Sequence, residues 1–313
     1  MTITQLEYII AVDDFRHFGK AAKHCKVTQP TLSMQINKLE EAWNVRLFDR
    51  THKPILPTKT GEWVVAQARI ILREVKKMDD FVESTKGAFQ GVFKIGVIPT
   101  ISPYLLHRII KPFQALYPDV KCLFEESTTD ELLRKLRDEE IDVAILATPL
   151  GELGMDEEPL YYEPFIAFVH PSHRLSKDAF ILNSELNPKD LLLLSEGHCF
   201  RNSVLNMCHY EEDIIHNNLS LESGSFETLI RLVKHGYGMT LLPYLAVMEL
   251  NESDKKWTKP LAEPRPVREI GMIFKHGHLK THLISALKRV VQNNVPEKLL
   301  TNEGVVLSPK RKE

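Results

Sequence analysis

The chain has 313 residues, of which 43% are hydrophobic and 26% charged, and its formal net charge is −2. This length predicts two or three domains with the composition of an ordinary globular protein. The N-terminus has no basic start before its apolar residues, which argues against a signal peptide, and no stretch reaches the roughly 20 apolar residues of a membrane span. The four cysteines therefore predict a cytoplasmic protein whose thiols stay reduced unless they serve regulation.

The charge is distributed unevenly along the chain. Residues 1–60 contain nine Lys and Arg against six Asp and Glu, a formal charge of +3, which leaves −5 for the remainder. A positive N-terminal segment suits an anionic partner such as DNA.

The first 60 residues predict a winged helix-turn-helix. Apolar residues between Leu6 and Phe15 predict a first helix, residues 18–25 a short second helix, and residues 26–28 the turn. Two runs, 45–48 and 55–58, predict the strands of a wing.

The third helix carries the polar face. Thr28 or Gln29 can cap it with Pro30 at its first position, where a missing N–H costs nothing. Three apolar residues at helical spacing face inward: Leu32, Ile36 and Leu39. The opposite face carries Pro30, Met34, Asn37 and Lys38. A short polar helix suits a DNA major groove, but the pattern fits equally well a small helical domain whose polar face is only solvated.

The segment FGKAAKHCKVTQPTLSMQINKLEEAWNVRLFDRT resembles the DNA-binding domain of LysR-type transcriptional regulators. The resemblance implies that the chain binds double-stranded promoter DNA. It assigns these residues to the groove: Gln29, Pro30, Thr31, Ser33, Gln35 and Lys38. The family's wing offers an arginine to the minor groove, whereas this chain has Thr51-His52-Lys53, which makes Lys53 the expected wing contact.

A long linker helix is predicted over residues 58–89. Its apolar seam recurs at three- and four-residue steps through Val64, Ala68, Ile71, Val75, Met78 and Val82. An exposed seam of this kind predicts pairing with a second copy, which would match paired DNA half-sites. The predicted domains are a winged helix-turn-helix at 1–60, a linker and dimerisation helix at 61–90, an α/β regulatory domain at 91–300 and a disordered tail at 301–313.

Strand-like and helical segments alternate after residue 91. The predicted strands are 92–98, 120–125, 142–147, 165–169, 191–194, 219–222, 239–242 and 269–274. The predicted helices lie near 103–116, 130–139, 200–209, 226–235 and 280–292. This alternation predicts a largely parallel sheet with helices on both faces, which binds ligands beyond the carboxyl ends of its strands.

Several polar residues lie at those strand ends. Thr100 follows the first strand, Thr128 begins a capping box with Glu131, and Thr129 lies beside it. Each threonine taken alone is more readily explained as a helix cap than as a ligand-binding residue.

Cys199 and Cys208 are nine positions apart in the segment GHCFRNSVLNMC. A helix start, His198 and Arg201 would favour a reactive Cys199 thiolate, with Arg201 as donor to a leaving hydroxide and Cys208 as the partner thiol. Nine helical residues span about 13.5 Å, whereas a disulfide needs Cα atoms within about 7 Å, so such a disulfide requires the helix to refold. Two alternatives remain open: a buried unreactive pair, and a zinc site that includes His209.

A second resemblance covers residues 1 to about 295. The segments IPTISPYLL, GHCFRNSVLNMC and SFETLIRLVKHGYGMTLLP resemble the peroxide-sensing members of the LysR family. This resemblance implies a two-subdomain α/β regulatory domain like the periplasmic binding proteins, with Cys199 as the peroxide-reactive thiol and Cys208 as the thiol that resolves it. It assigns Thr100, Thr129 and His198 to the peroxide pocket, with Arg268 beside it. Asn202 departs from the carboxylate that the family often has at its position.

The function expected from the sequence is transcriptional activation switched by hydrogen peroxide through a reversible Cys199–Cys208 disulfide. The expected partners are promoter DNA, hydrogen peroxide, further copies of the chain in a dimer of dimers, RNA polymerase and a thiol reductant such as a glutaredoxin or thioredoxin. We expect no cofactor, metal or membrane contact. The main alternative is a LysR-type regulator that binds a small co-inducer, with incidental cysteines. A thiol peroxidase with a DNA-binding appendage ranks last, and the chain is not expected to be an enzyme.

Overall fold

Two units with separate hydrophobic cores make up the chain, Met1–Ala88 and Phe89–Glu313. The computed structural model describes residues 1–51, 54–84, 91–187, 190–208 and 224–310. Within that part of the chain, every helix is too short or too polar to cross a membrane.

The first unit contains the three predicted helices and the wing. They are α1 (Ile3–Phe15), α2 (Phe18–His24), α3 (Gln29–Trp43), and the strands β1 (Phe48–Asp49) and β2 (Leu56–Pro57). Thr28 caps α3 by accepting a hydrogen bond from the Thr31 amide, with Pro30 in the first turn. The antiparallel pairing of β1 with β2 confirms a wing whose strands are shorter than the sequence predicts. The wing residues 52 and 53 lie outside the described residues.

The inward face of α3 is as the spacing predicts. Leu32, Ile36 and Leu39 are fully buried in the core of the first unit. Buried Glu40 accepts hydrogen bonds from the amides of Leu47 and Phe48, at 2.7 and 3.3 Å, which ties the helix to the start of the wing. The orientation of the polar face therefore follows from both packing and this carboxylate.

The linker helix α4 (Lys59–Ser84) uses part of its apolar seam within its own unit. Ala68 is buried, and Val64 and Ile71 pack against the same core as α1. Met78, farther along, is 70% exposed. The continuous seam expected for pairing is therefore divided, because its first half already covers the helix-turn-helix core. The side chain of Val82 and residues 85–90 lie outside the described part of the chain.

The second unit is built on an eight-stranded sheet. Its strands are β3 (Gly91–Val97), β4 (Val120–Glu126), β5 (Val143–Thr148), β6 (Met155–Val169), β7 (Met239–Pro243), β8 (Thr258–Pro260), β9 (Pro266–Lys275) and β10 (Val305–Val306). Its α-helices are α5 (Ser102–Leu116), α6 (Thr129–Arg137), α7 (Cys199–Cys208), α8 (Phe226–Lys234), α9 (Tyr244–Met248), α10 (Glu252–Lys255) and α11 (Thr281–Asn294). The main strand order is β4-β3-β5-β9-β6-β7, with β10 beside β9 and β8 beside β6.

The sheet is mixed, so the expectation of a largely parallel sheet is wrong. Strand β3 runs parallel to β4 and β5, but β9 is antiparallel to β5 and β6, and β6 is antiparallel to β7 and β8. The long β6 pairs with β9 over its first part and with β7 and β8 over its end, which joins the two parts of the sheet. The sequence predicted only residues 165–169 of β6 because acidic residues and prolines interrupt the earlier part.

A second strand prediction also fails. Residues 191–194 are not a strand, since only Leu191 forms an isolated bridge, to Met239. The next carbonyl, of Leu192, accepts a hydrogen bond from the Thr240 hydroxyl at 2.8 Å, and Leu194 packs into the core. Apolar residues alone do not distinguish a buried loop from a strand. The predicted strand at 219–222 lies outside the described residues.

Residues 301–310 are ordered, contrary to the expectation of disorder. Strand β10 pairs in parallel with the start of β9, where Val305 lies opposite Pro266. Gly304 permits this approach, because a Cβ atom there would lie 2.2 Å from the carbonyl oxygen of Arg265. A single glycine between Glu303 and Val305 gave the sequence prediction no sign of this contact.

Candidate functional site

Cys199 begins helix α7, and its thiol is buried with 8% of the residue exposed. Its sulfur lies 2.9 Å from the hydroxyl oxygen of Thr129, the first residue of α6. Thr129 is itself buried. The starts of two helices that are 70 residues apart in sequence therefore meet at this thiol, and Thr129 and Cys199, which the resemblance assigns to one site, are in contact.

The electrostatic environment of this thiol differs from the sequence prediction. Burial raises the pKa of the Cys199 thiol above its ordinary value and Asp130 adds to the increase, while the Thr129 hydrogen bond and the charge of Arg268 oppose it. Burial also lowers the pKa of His198, so that its ring is uncharged at neutral pH. The expected stabilisation of a thiolate by His198 is therefore not found.

Arg201 has a different partner from the one predicted. Its Nη1 donates to the carbonyl oxygen of Leu194 at 3.1 Å, so the guanidinium ties α7 to the loop before it. The arginine whose positive charge lowers the pKa of the Cys199 thiol is Arg268, from β9.

Arg268 belongs to a buried polar cluster with Thr100 and Glu163. Its Nε and Nη2 donate to Oε2 of Glu163 at 2.9 and 2.6 Å. Its Nη1 donates to the Thr100 hydroxyl at 3.2 Å, and Nη2 also reaches the Thr100 carbonyl at 3.2 Å. Arg268 is 3% exposed and Glu163 0%, so this ion pair is shielded from water.

The ring of Phe200 connects this cluster to the thiol. The Arg268 guanidinium carbon lies 5.2 Å from the centre of the Phe200 ring, which follows Cys199 directly in α7. Phe165 and Phe226 pack against the same ring, with centroids 5.0 and 4.8 Å away. Any movement of the first turn of α7 therefore changes the surroundings of Arg268.

Glu163 is the residue that sequence reasoning missed. It lies inside β6 and also accepts a hydrogen bond from the Leu245 amide at 2.9 Å. The only available signal was an acidic residue inside the apolar run YYEPFIAFV, and a buried charge requires a partner. The sequence offered no means of identifying that partner as Arg268, which is 105 residues away.

His198 lies at the edge of the site and is half buried. The His198 ring lies close to Gly224, where an added Cβ atom would come within 3.0 Å of the ring Nε2. The side chain of Cys208 and all of His209 are outside the described residues. Among the residues that are described, no group of three His, Cys, Asp or Glu could hold a metal ion.

The face of α3 predicted to enter a DNA groove is accessible in the first unit. Gln29, Pro30 and Lys38 are exposed, while Thr31, Ser33 and Gln35 are partly exposed. The Gln35 side-chain oxygen accepts a hydrogen bond from Gln5 at 3.3 Å. These groups lie on one helix, but the predicted contact Lys53 is outside the described residues.

Arg50 is a further basic residue beside this face. It lies at the wing and donates to Asn37 at 2.5 Å and to Glu40 at 3.0 Å, and its Nη1 lies 3.5 Å from the Ser33 hydroxyl. Its guanidinium also stacks over the ring of Phe18, 4.8 Å from the ring centre. Arg50 therefore fixes the wing against the polar face of α3.

Comparisons with known proteins match both units. Residues 3–62 match the family model of the bacterial regulatory helix-turn-helix protein, lysR family, and residues 86–296 match the LysR substrate binding domain. The chain is 36% identical over 279 residues to the hydrogen peroxide-inducible genes activator of Haemophilus influenzae, covering 88% of this chain and 91% of the relative. It is also 36% identical over 277 residues to the DNA-binding transcriptional dual regulator OxyR of Escherichia coli, covering 88% and 90%.

Solved structures agree with these relatives. A full-length OxyR cysteine mutant from Pseudomonas aeruginosa matches with a TM-score of 0.73 and 33% identity, covering 94% of this chain and 99% of that one. A hydrogen peroxide-bound OxyR cysteine mutant from Corynebacterium glutamicum matches with a TM-score of 0.62 and 28% identity, covering 94% and 92%. The sequence, both units and the fold therefore lead to one conclusion: the chain belongs to the LysR family of bacterial helix-turn-helix regulators, and within that family it is similar to OxyR.

Proposed function

We propose that this protein is a DNA-binding transcriptional activator that senses hydrogen peroxide through a reversible disulfide between Cys199 and Cys208. The observation that carries the proposal is the buried Cys199 thiol, which is hydrogen-bonded to Thr129 and whose pKa is lowered by the positive charge of Arg268 against the effect of burial. The activator names of the relatives support the same function. Residues 1–60 would bind DNA, residues 61–90 would dimerise, and residues 91–300 would sense the oxidant.

The first chemical step is attack of the Cys199 sulfur, as thiolate, on one oxygen of hydrogen peroxide. The O–O bond breaks, the sulfur becomes a sulfenic acid, and the leaving hydroxide takes up a proton to become water. Thr129 can donate its hydroxyl proton to the thiolate or to peroxide. The Thr100 hydroxyl accepts from Arg268, which leaves its own proton available to a peroxide oxygen.

The second step is attack of the Cys208 thiol on the sulfenic sulfur. The S–O bond breaks, the S–S bond forms, and the released hydroxide leaves as water with the thiol proton. Two thiols are oxidised and one peroxide is reduced to two waters. Cys199 and Cys208 are the first and last residues of α7, so the helix must unwind before the bond can form.

The unwinding of α7 is the proposed link to transcription. The helix lies against the buried cluster through Phe200, so its refolding would repack the surface of the regulatory domain. We propose that this alters how the subunits of a homo-oligomer, a dimer of dimers, engage paired DNA sites and RNA polymerase in the cytoplasm. A thiol reductant such as a glutaredoxin or thioredoxin would reset the switch.

The α3 face would bind the DNA. Gln29, Pro30, Thr31, Ser33, Gln35 and Lys38 are the proposed groove residues, with Lys53 at the wing. Exposure on the helix that the family model covers supports this assignment. The hydrogen bonds from Arg50 to Asn37 and Glu40 would hold the wing beside α3 before DNA binds.

The decisive experiment is non-reducing peptide mapping of the reduced protein after one equivalent of hydrogen peroxide. A Cys199–Cys208 linkage with Cys25 and Cys122 still free is expected. Cys122→Ser serves as the matched control and should form the same linkage. Survival of all four thiols would overturn the proposal. Repeated turnover of peroxide with a thiol reductant, rather than one stoichiometric oxidation, would instead indicate a thiol peroxidase.

A second candidate function has one observation in its favour. A cavity of about 220 Å³ in the regulatory unit is lined in part by the aromatic residues Tyr162 and Tyr244 and by charged residues of both signs, Arg265 and Lys298 with Glu263 and Glu303, a mixture that suits a small polar co-inducer. Thermal stabilisation by such a metabolite, together with unchanged thiols after peroxide treatment, would favour this function.

A further inference from the structure

The C-terminal segment after Gly304, which we call the strap (residues 305–310), ends on the helix that carries both cysteines. The strap leaves the sheet beside β9, where the Leu307 amide donates to the Val267 carbonyl at 2.9 Å. Leu307 packs against the main hydrophobic core and Pro309 is buried. The strap is therefore anchored before it reaches α7.

Three side chains of α7 bind the main chain of the strap. Asn202 Nδ2 donates to the Pro309 carbonyl at 3.3 Å, and the Ser203 hydroxyl donates to the Ser308 carbonyl at 3.2 Å. Asn206 Nδ2 donates to the carbonyls of Ser308 and Lys310, at 3.2 and 2.8 Å. Ser203 is only 2% exposed, so its hydroxyl meets the strap away from solvent.

All three donors lie between Cys199 and Cys208 in sequence. They span just over one helical turn, with Asn202 and Asn206 one above the other, which is why they can reach the consecutive carbonyls of residues 308–310. If α7 unwinds, this spacing is lost and the carbonyls of the strap lose their donors. Each such hydrogen bond therefore stabilises the helical form of α7 relative to any refolded form.

We propose that residues 305–310 act as a strap that holds α7 helical in the reduced protein and so sets how readily the Cys199–Cys208 disulfide forms. This rests on the disulfide switch proposed above and adds its regulation by the chain's own C-terminal segment. Formation of the S–S bond displaces the strap from α7, and reduction of the disulfide by a thiol allows it to rebind. The surface of α7 that binds the strap is thus a docking site for this segment of the same chain.

Two variants release the strap by different means. In Gly304→Val a side chain collides with the Arg265 carbonyl, so β10 cannot pair with β9. Asn202→Asp keeps the shape of the side chain but replaces its donor with a carboxylate, which repels the Pro309 carbonyl. Glu303→Gln, an exposed change next to Gly304, is the matched control.

The first measurement is the equilibrium constant of the disulfide in mixtures of reduced and oxidised glutathione. In both release variants the equilibrium constant for forming the disulfide is expected to be about tenfold higher than in the wild type. This corresponds to a reduction potential about 30 mV lower for this two-electron couple. Glu303→Gln should match the wild type. The double variant should show little more than either single change, because both remove the same contact. If the equilibrium constant of the disulfide in both release variants equals that of the wild type, the proposed role of the strap is refuted.

A second measurement needs no disulfide. Hydrogen exchange of reduced, full-length protein should show α7 amides exchanging at least several-fold faster in both release variants, with α11 unchanged. Unchanged exchange in α7 would refute the strap even if the disulfide forms. If the wild type never forms the disulfide, but α7 still exchanges faster in both release variants, the disulfide switch is refuted. The strap then remains a contact that stabilises α7. The two proposals therefore fail separately.

Discussion

The exposed face of α3 and the buried cluster around Cys199 are both polar, but they are assembled in opposite ways. The α3 residues come from one helix, and its buried stripe of Leu32, Ile36 and Leu39, together with the Glu40 carboxylate, decides which way they point. The thiol cluster takes Thr100, Thr129, Glu163, Cys199 and Arg268 from five separate parts of the chain. We expect a site built on one helix to tolerate single substitutions. A site built from distant parts of the chain depends on each residue that contributes to it.

The largest expected effect comes from removing the reactive sulfur. Cys199→Ser should abolish the transcriptional response to peroxide, because a serine hydroxyl cannot form a sulfenic acid or a disulfide. DNA affinity of the reduced protein should stay within about twofold, since the change lies outside the α3 face. A promoter-reporter assay and a DNA-binding titration test the two halves of this expectation. An unchanged response in the reporter assay would remove Cys199 from the mechanism.

The next largest effect concerns the buried ion pair. Arg268→Met leaves the Glu163 carboxylate uncompensated in the core, so the free energy of unfolding should fall by about 3–5 kcal/mol. Arg265→Met removes a surface pair with Glu263 in the neighbouring turn and should cost less than about 1 kcal/mol. Urea unfolding measures both. If both variants lose the same free energy of unfolding, the buried ion pair contributes no more to stability than the exposed one, and the prediction is wrong.

A smaller effect concerns the pH dependence of thiol reactivity. Burial raises the pKa of Cys199, so the thiolate is a minor form near pH 7 and its fraction grows as the pH rises. Alkylation of Cys199 should therefore accelerate about tenfold per pH unit between about pH 6.5 and 8.5. Mass spectrometry of the alkylated peptide follows the rate. A plateau below pH 7 would show that the thiol has a lowered pKa instead.

Thr129 offers a way to sharpen that measurement. Its hydrogen bond lowers the pKa of the Cys199 thiol against the effect of burial. Thr129→Val should raise that pKa further and slow the oxidation by peroxide several-fold at pH 7, whereas Thr129→Ser retains the hydroxyl and should behave as the wild type. Stopped-flow oxidation at fixed pH compares the three proteins. Identical rates in Thr129→Val would exclude this hydrogen bond from thiol activation.

The smallest effect is expected at the DNA face. Lys38→Ala should weaken DNA binding to all sequences alike and lower the slope of log K against log salt by about 1, as for a single phosphate contact. Fluorescence anisotropy at several salt concentrations measures the slope. A loss confined to specific sequences would instead make Lys38 a base-reading residue.

Elements that depend on local patterns were predicted well. The helices of the first unit, and α5, α6, α7, α8 and α11 of the second, begin within about three residues of their expected starts. The predictions that fail depend on distant partners. Residues 191–194 look like a strand but make only one bridge, and the first part of β6 looks irregular yet pairs along β9.

The sequence by itself determined the helix-turn-helix, the orientation of its polar face and the placement of Cys199 and Cys208 on one helix, because periodicity and spacing are local properties. Only the tertiary structure decided that the charge of Arg268, and not that of Arg201, lowers the pKa of the Cys199 thiol, that Glu163 forms an ion pair with Arg268, and that the tail binds Asn202 of α7. Burial and long-range hydrogen bonds set charges and pKa values, and those depend on residues that meet only when the chain folds.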